Sequence, residues 1–321
     1  MNLDFLKPTS GKQASLGVLA VVLVSLAALP SWYEGYGITL LTEIMKFVIL
    51  TVAWVMFSGP SGYMSLATAA FYGLGFYIAA VLSGEIPFLV IIIAAGVSGF
   101  VVALIVGALT LRLRGIYFCI FTFGLVLLID QVVREVEQVL SGTRGRFVDT
   151  QPTEIVYLAM YGVCVLTILV AWLFKRSRHG LALMSIGQNE EAAAHGGVNV
   201  VRTKVLVFAL SAVFMAMAGA VIATRRSYVD PGVAFSLNQT FLPVLMALFG
   251  GMHNLVGPVI GAVIFTFLRE RLLTSFPEVF MLIFGAVLIA AILFLPNGIV
   301  GLIQQVWHKI REGKTGARSP A

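Results

Sequence analysis

Residues 88–111 read FLVIIIAAGVSGFVVALIVGALTL, an apolar run with no charged side chain, bounded by Pro87 and Arg112. A helix rises about 1.5 Å per residue and the hydrocarbon core of a bilayer is about 30 Å thick, so about 20 such residues span it. The pattern recurs on both sides of this stretch. Apolar runs lie at 16–30, 38–57, 64–82, 116–133, 155–174, 205–224, 241–251, 255–268 and 279–303. The runs at 241–251 and 255–268 are short and rich in Gly and Pro, as in discontinuous or re-entrant helices enclosed by protein. Gly59-Pro60-Ser61-Gly62 interrupts the stretch between 38–57 and 64–82 in a similar way. The expected fold class is all-α, a polytopic membrane protein of about ten transmembrane helices.

Composition excludes the soluble alternatives. Of 321 residues, 59% are apolar and 11% charged, where soluble domains carry about 25% charged residues. The mean hydropathy is +0.98. A water-soluble fold has no way to hide that much apolar surface. A net charge of +6 would suggest nucleic acid in a soluble protein, but here the cations sit in short loops between apolar runs, as the positive-inside rule requires. Cys119 and Cys164 lie within apolar runs and read as small buried residues, with no disulfide or metal role. The first run ends at Pro30 without an Ala-x-Ala cleavage pattern, so it reads as a retained span.

The same cations set the expected topology. Lys7, Lys12, Arg112, Arg114, Lys175, Arg176, Arg178, Arg202, Lys204, Lys309, Arg311, Lys314 and Arg318 fall on one side of a ten-span chain, which is then the cytoplasm. This divides the chain into a cytoplasmic N-terminus (1–14), a membrane domain (15–303) containing a cytoplasmic loop (175–204), and a cytoplasmic tail (304–321). Arg144, Arg146, Arg225, Arg226, Arg269 and Arg271 land outside, against the rule. The loop at 175–204 is too short for an ATP-hydrolysing domain, since even small domains exceed about 50 residues. Gly313-Lys314-Thr315 looks like the end of a phosphate-binding loop, but His308 stands where the motif needs Gly, and no strand precedes it. If ATP drives this protein, the engine is another polypeptide.

Charged groups within spans cost about 2.5–3.5 kcal/mol each at a helix centre, so each needs a partner. Asp130 has Arg134 at i+4, and Glu43 has Lys46 at i+3. Both pairs read first as structural; Asp130 is also a candidate for a translocation path. No His/Glu/Asp relay runs through the spans, no cluster has metal-ligand spacing, and no catalytic set is evident. Gln188-Asn189-Glu190-Glu191-Ala192-Ala193-Ala194 gives an N-cap at Asn189, acidic residues in the first turn and Ala for helix propensity, with Gly196-Gly197 to stop it. The result is a short amphipathic helix in the loop. It can be an ordinary tether between spans or a knob for a soluble partner's groove.

The stretch from Asn189 to Val200 (Asn189-Glu190-Glu191-Ala192-Ala193-Ala194-His195-Gly196-Gly197-Val198-Asn199-Val200) resembles the loop by which permeases of ATP-binding cassette (ABC) importers dock on their ATPases. It is similar to the version in the branched-chain amino acid permeases of the LivM type. Four further segments resemble that family in the same order: Ser61-Gly62-Tyr63-Met64-Ser65-Leu66 with Ala69-Ala70-Phe71; Leu113-Arg114-Gly115-Ile116-Tyr117-Phe118 with Thr122; Gly250-Gly251, Gly257-Pro258 and Gly261-Ala262; and Pro296-Asn297-Gly298 with Gly301. The chain departs from the family pattern at Ala67-Thr68, His253-Asn254 and Gly142-Thr143-Arg144-Gly145, and these departures bear on the substrate. The resemblance implies a type II importer permease with an inverted repeat relating the second to fifth and seventh to tenth spans. It implies a bacterial inner-membrane location, a sister permease as heterodimer partner, two ATPase subunits that carry ATP and Mg, and a periplasmic binding protein. This chain would bind no cofactor itself. The ATPase contact would fall on Glu190, Glu191, Ala192 and Ala193, with Gly197 ending the helix. Candidates for the path are Ser61, Gly62, Ser65, Asp130, Gly250 and Gly251. The expected cargo is a branched-chain amino acid. The rivals are a urea, short-chain amide or aromatic-acid permease of the same superfamily, an ion-coupled secondary transporter and an intramembrane enzyme.

Overall fold

The computed structural model describes residues 35–276 except 114, 143, 144 and 253, together with 278, 279, 285 and 286. The candidate span 16–30, nearly all of 279–303, the motif at Pro296-Asn297-Gly298 and the tail lie outside the described residues. The helices are α1 (Tyr36–Ser61), α2 (Thr68–Leu82), α3 (Phe88–Thr110), α4 (Ile116–Ser141), α5 (Thr153–Arg176), α6 (Arg178–Gln188), α7 (Glu190–His195), α8 (Val200–Ala223), α9 (Pro231–Ala234), α10 (Asn238–Gly250) and α11 (Val256–Ser275). Two short strands, β1 (Arg146–Phe147) and β2 (Tyr228–Val229), pair antiparallel with Arg146 opposite Val229. Six stretches among the described residues are long and apolar enough to cross a membrane: α1, α3, α4, α5, α8 and the continuous run Pro231–Gly250. The 15-residue α2 is apolar but shorter. α11 carries Arg269, Glu270 and Arg271 in its final turns.

Two helices form the centre. The most apolar windows of α1 and α8 are 78% and 72% buried, against 17% in α4. Helices apolar on every side belong inside a bundle or against lipid, and this chain contains both kinds. α8 packs against α2 and α3, while α1 packs against α5, α10 and α11. The outer faces of α3 and α4 expose Leu89, Val97, Ile105, Ile120, Leu128 and Val139, a surface suited to lipid or another apolar helix.

Glycine sets the closest approaches. A Cβ on Gly75 would overlap the Ala216 carbonyl, and one on Gly219 the Tyr72 carbonyl, so the backbones of α2 and α8 touch. α10 and α11 cross in the same manner through Gly250, Gly257 and Gly261. Pro60 falls in the last turn of α1 without ending it; the stop comes at Gly62, whose φ is +71° and whose N–H donates to the Ser58 carbonyl (3.1 Å). The stop falls within the Gly59-Pro60-Ser61-Gly62 interruption marked in the sequence, at its last residue, and Pro60 costs the helix one backbone hydrogen bond near its end without breaking it.

The polar connections gather at two ends. One, the α7 end, holds the 62–67 segment, α6, α7 and the α10–α11 turn. The other, the ribbon end, holds β1, β2 and the segment after α8, where Val148 N–H donates to the Ser227 carbonyl and Gln151 N–H to the Thr224 carbonyl. Arg146 and Arg225, two of the arginines that the charge rule misplaced, meet carboxylates there: Glu137 at 3.3 Å and Glu43 at 4.0 Å. They act as partners for acids within the fold, which accounts for cations at that end.

Candidate functional site

Segments far apart in sequence meet at the α7 end. After α5, Ser177 caps α6, its hydroxyl accepting from Gly180 N–H (3.2 Å). The sequence reading had no helix here; Gly180 and Gly187 argue against one by propensity. Tertiary packing overrides that preference. A Cβ at Gly187 would overlap the Pro60 carbonyl, so α6 lies directly on the end of α1, and Leu183 and Ile186 are buried beneath it.

α7 starts where the sequence placed it. The Asn189 side chain accepts from Ala192 N–H (3.0 Å), and the helix closes with Val198 N–H on the Ala193 carbonyl (3.1 Å) and Gly197 at φ +83°. Its faces are divided differently from the sequence expectation. Glu191 and Ala192 are exposed, but Ala193 is 7% exposed and packs into this chain. Glu190 turns inward as well. Its carboxylate accepts from the Tyr63 hydroxyl (2.7 Å) and from Lys204 Nζ (3.0 Å), and Lys204 Nζ also donates to the Tyr63 oxygen (3.2 Å). Lys204 is 1% exposed. Neither Tyr63 nor Lys204 was singled out as a site residue. Tyr63 was quoted only inside a motif and Lys204 only as a loop cation, and no local signal joins positions 141 residues apart.

The early motif is held in place by its neighbours. Trp54 Nε1 donates to the Ser65 carbonyl (2.7 Å). Leu66 N–H donates to the Thr122 hydroxyl (3.0 Å), which itself donates to the Cys119 carbonyl (3.0 Å). The Tyr63 ring meets Phe118 edge-on at 5.7 Å. The motif of residues 61–71 therefore touches the motif opening α4 and the Asn189–Val200 segment at once. A cleft of about 360 Å³ beside it is lined by Gly59, Pro60, Phe174, Met184, Gln188 and Met252, among others, which brings the α10–α11 turn to the same place. Four of the five motif segments converge on this end, and the fifth lies outside the described residues.

The candidate path residues separate into two groups. Ser61 donates to the Phe57 carbonyl (2.7 Å) and accepts from Tyr63 N–H (3.2 Å), and Ser65 accepts from Ala67 N–H (3.3 Å). Gly62, with its positive φ, makes the turn between α1 and the extended segment. Gly250 is packed against Gly257, and Gly251 adopts φ +96° at the turn into α11. These five shape the backbone at the α7 end. Asp130 stands apart on α4, in a two-pronged pair with Arg134 (3.0 and 3.2 Å) that is partly exposed. At the ribbon end, Glu43 pairs with the buried Lys46. A cavity of about 190 Å³ there is lined by Glu43, Ile222, Arg225 and Arg226.

The family model described as branched-chain amino acid transport system / permease component matches residues 37–292. The high-affinity branched-chain amino acid transport system permease protein LivM of Salmonella typhimurium is 24% identical over 88% of this chain and 74% of its own length. The L-arabinose ABC transporter permease protein AraH of Azospirillum brasilense is 25% identical over 87% and 86%. The ribose import permease protein RbsC of Haemophilus influenzae is 36% identical, but over 32% of this chain and 33% of its own length. No solved structure matches the chain.

Proposed function

The chain belongs to the branched-chain amino acid transport system permease-component family, and from that premise we propose that it carries branched-chain amino acids through the bacterial inner membrane as one permease of an ABC importer. The observation that carries this reading is the family match across most of the chain, together with a LivM relative aligned over 88% of it. The importer would comprise a sister permease, two ATPase subunits holding ATP and Mg, and a periplasmic binding protein. The α7 end faces the cytoplasm in this reading, and Glu191 and Ala192, the exposed residues of α7, meet the ATPase. Glu190 and Ala193 hold α7 to the permease. The reciprocal packing of α8 on α2 and α3, and of α1 on α10 and α11, supports an inverted repeat. The exposed face of α4, with Asp130 partway along it, supports a path shared with the sister subunit.

Import of a pentose is the second reading, favoured by the arabinose- and ribose-named relatives. Uptake by the reconstituted importer decides between them, with labelled leucine, isoleucine, valine, arabinose and ribose supplied through the cognate binding protein. ATP-dependent uptake of the amino acids alone is the expected result, and uptake of a pentose alone would replace the first reading with the second. For docking, Ala192→Arg places a charge and extra volume at the contact; loss of one hot spot costs about 2 kcal/mol. Release of the ATPase subunits on purification is expected. Retention with full uptake would leave α7 as a tether.

A further inference from the structure

We propose that Tyr63 is the joint through which displacement of α7 reaches α4, a positioning role that rests on reading the 175–204 segment as the contact with the ATPase. The geometry has three parts. First, the Tyr63 hydroxyl, the Glu190 carboxylate and the Lys204 ammonium form a closed triangle, each pair within 3.2 Å. The three groups come from the segment after α1, from α7 and from α8. Hydrogen bonds to charged groups are the strong ones, and with Lys204 sealed from water no solvent molecule replaces a broken bond at that nitrogen. A shift of α7 therefore has to carry Tyr63 with it or open a buried ionic contact.

Second, the ring of Tyr63 carries the Lys204 ammonium over its face (4.5 Å to the centroid) and meets Phe118, in the first turn of α4, edge-on. Phe118 lies in an aromatic group with Phe57 of α1 (6.0 Å) and Phe208 of α8 (6.1 Å). Three residues beyond Tyr63, Leu66 N–H reaches Thr122, also on α4. The segment that holds the triangle thus grips α4 at two places.

Third, the helices that Tyr63 reaches differ in how firmly they are held. α1 and α8 are packed along most of their length and α4 is not. Tight packing transmits a displacement without absorbing it, so motion imposed at Tyr63 appears in the element with the fewest neighbours. Of these helices that element is α4, which is reached through its buried Phe118 and Thr122.

The test is Tyr63→Phe in the complete importer, reconstituted in liposomes with its own ATPase subunits and binding protein. The probe is whichever of leucine, isoleucine, valine, arabinose or ribose the wild-type importer takes up. The ring and its contact with Phe118 remain, and only the hydroxyl is lost. ATPase subunits should still co-purify and hydrolyse ATP, while solute moved per ATP falls about tenfold, the factor that corresponds to about 1.4 kcal/mol of lost hydrogen bonding. A merely structural hydroxyl would lower the yield of complex and leave that ratio alone, and an unchanged ratio overturns the proposal. Glu190→Gln, read by the same ratio, decides the matter if Tyr63→Phe does not assemble. Where both assemble, the double variant should fall no further than the worse single one, because both open the same triangle; losses that multiply also overturn the proposal. Failure of the docking reading shows elsewhere, as co-purification of ATPase that is indifferent to Ala192→Arg.

Discussion

The two ends of the bundle each bury a lysine beside a glutamate, and they do so with opposite arithmetic. At the α7 end one ammonium, Lys204, meets one carboxylate, Glu190, and a tyrosine hydroxyl closes the set. At the ribbon end one carboxylate, Glu43, is surrounded by cations: Lys46 in contact, Arg225 at 4.0 Å, and Arg269 and Arg226 close enough to act on the pair. Among the described residues, the first cluster sets one ammonium against one carboxylate and joins three separate elements. The second has cations to spare and borders a cavity of about 190 Å³. Removing either ion of the first set takes a partner from a buried Lys204 or a partly exposed Glu190, whereas a set with surplus cations can replace one of them. The α7 end is thus built as a joint whose parts move together, and the ribbon end as a cation-rich mouth that tolerates rearrangement.

The largest effect that can break this comparison is topological. If the α7 end is cytoplasmic, Thr150→Cys in intact cells should react fully with a membrane-impermeant maleimide, and Ala194→Cys should react only after the cells are opened. Both positions are exposed. The opposite labelling would invert the assignment of joint and mouth.

Next comes removal of Glu43, the acid that Lys46 contacts at the ribbon end. Glu43→Leu leaves Lys46, 4% exposed, with no carboxylate and with arginines nearby. Breaking a buried pair in this way costs about 3–5 kcal/mol, read as a lower midpoint of unfolding by SDS in mixed micelles. At the α7 end, Lys204→Met leaves Glu190 partly hydrated and still bonded to Tyr63, so a loss of about 2 kcal/mol is expected in the same assay. The smallest effect separates the two ends most sharply. Lys46→Met should cost under about 1 kcal/mol, because Arg225, 4.0 Å from Glu43, is placed to take over its carboxylate and one partly exposed ion pair then replaces another. A loss in Lys46→Met as large as that in Lys204→Met would mean that the surplus cations do not substitute, and the contrast would fail.

Much of the helical architecture was legible in the chain itself, because the bilayer imposes a rule that can be read locally. Backbone groups in hydrocarbon must be satisfied within their own helix, so a span is visible as an unbroken apolar run such as 88–111. The Asp130–Arg134 and Glu43–Lys46 pairs were legible for the same reason, since spacing along one helix fixes which side chains meet. The Asn189 cap and the Gly197 stop follow from backbone chemistry within a single turn. What the sequence left hidden is everything that depends on one helix meeting another. α6 forms against its own propensity because Gly187 fits under the Pro60 carbonyl. Ala193 and Glu190 face inward although their pattern suits a free surface, and Tyr63 acquires its partners from 127 and 141 residues away. Apolarity is a property of each residue and determines that the chain enters the membrane. The choice of which polar group meets which across the bundle is made by close approach of backbones, and only the tertiary structure decides it.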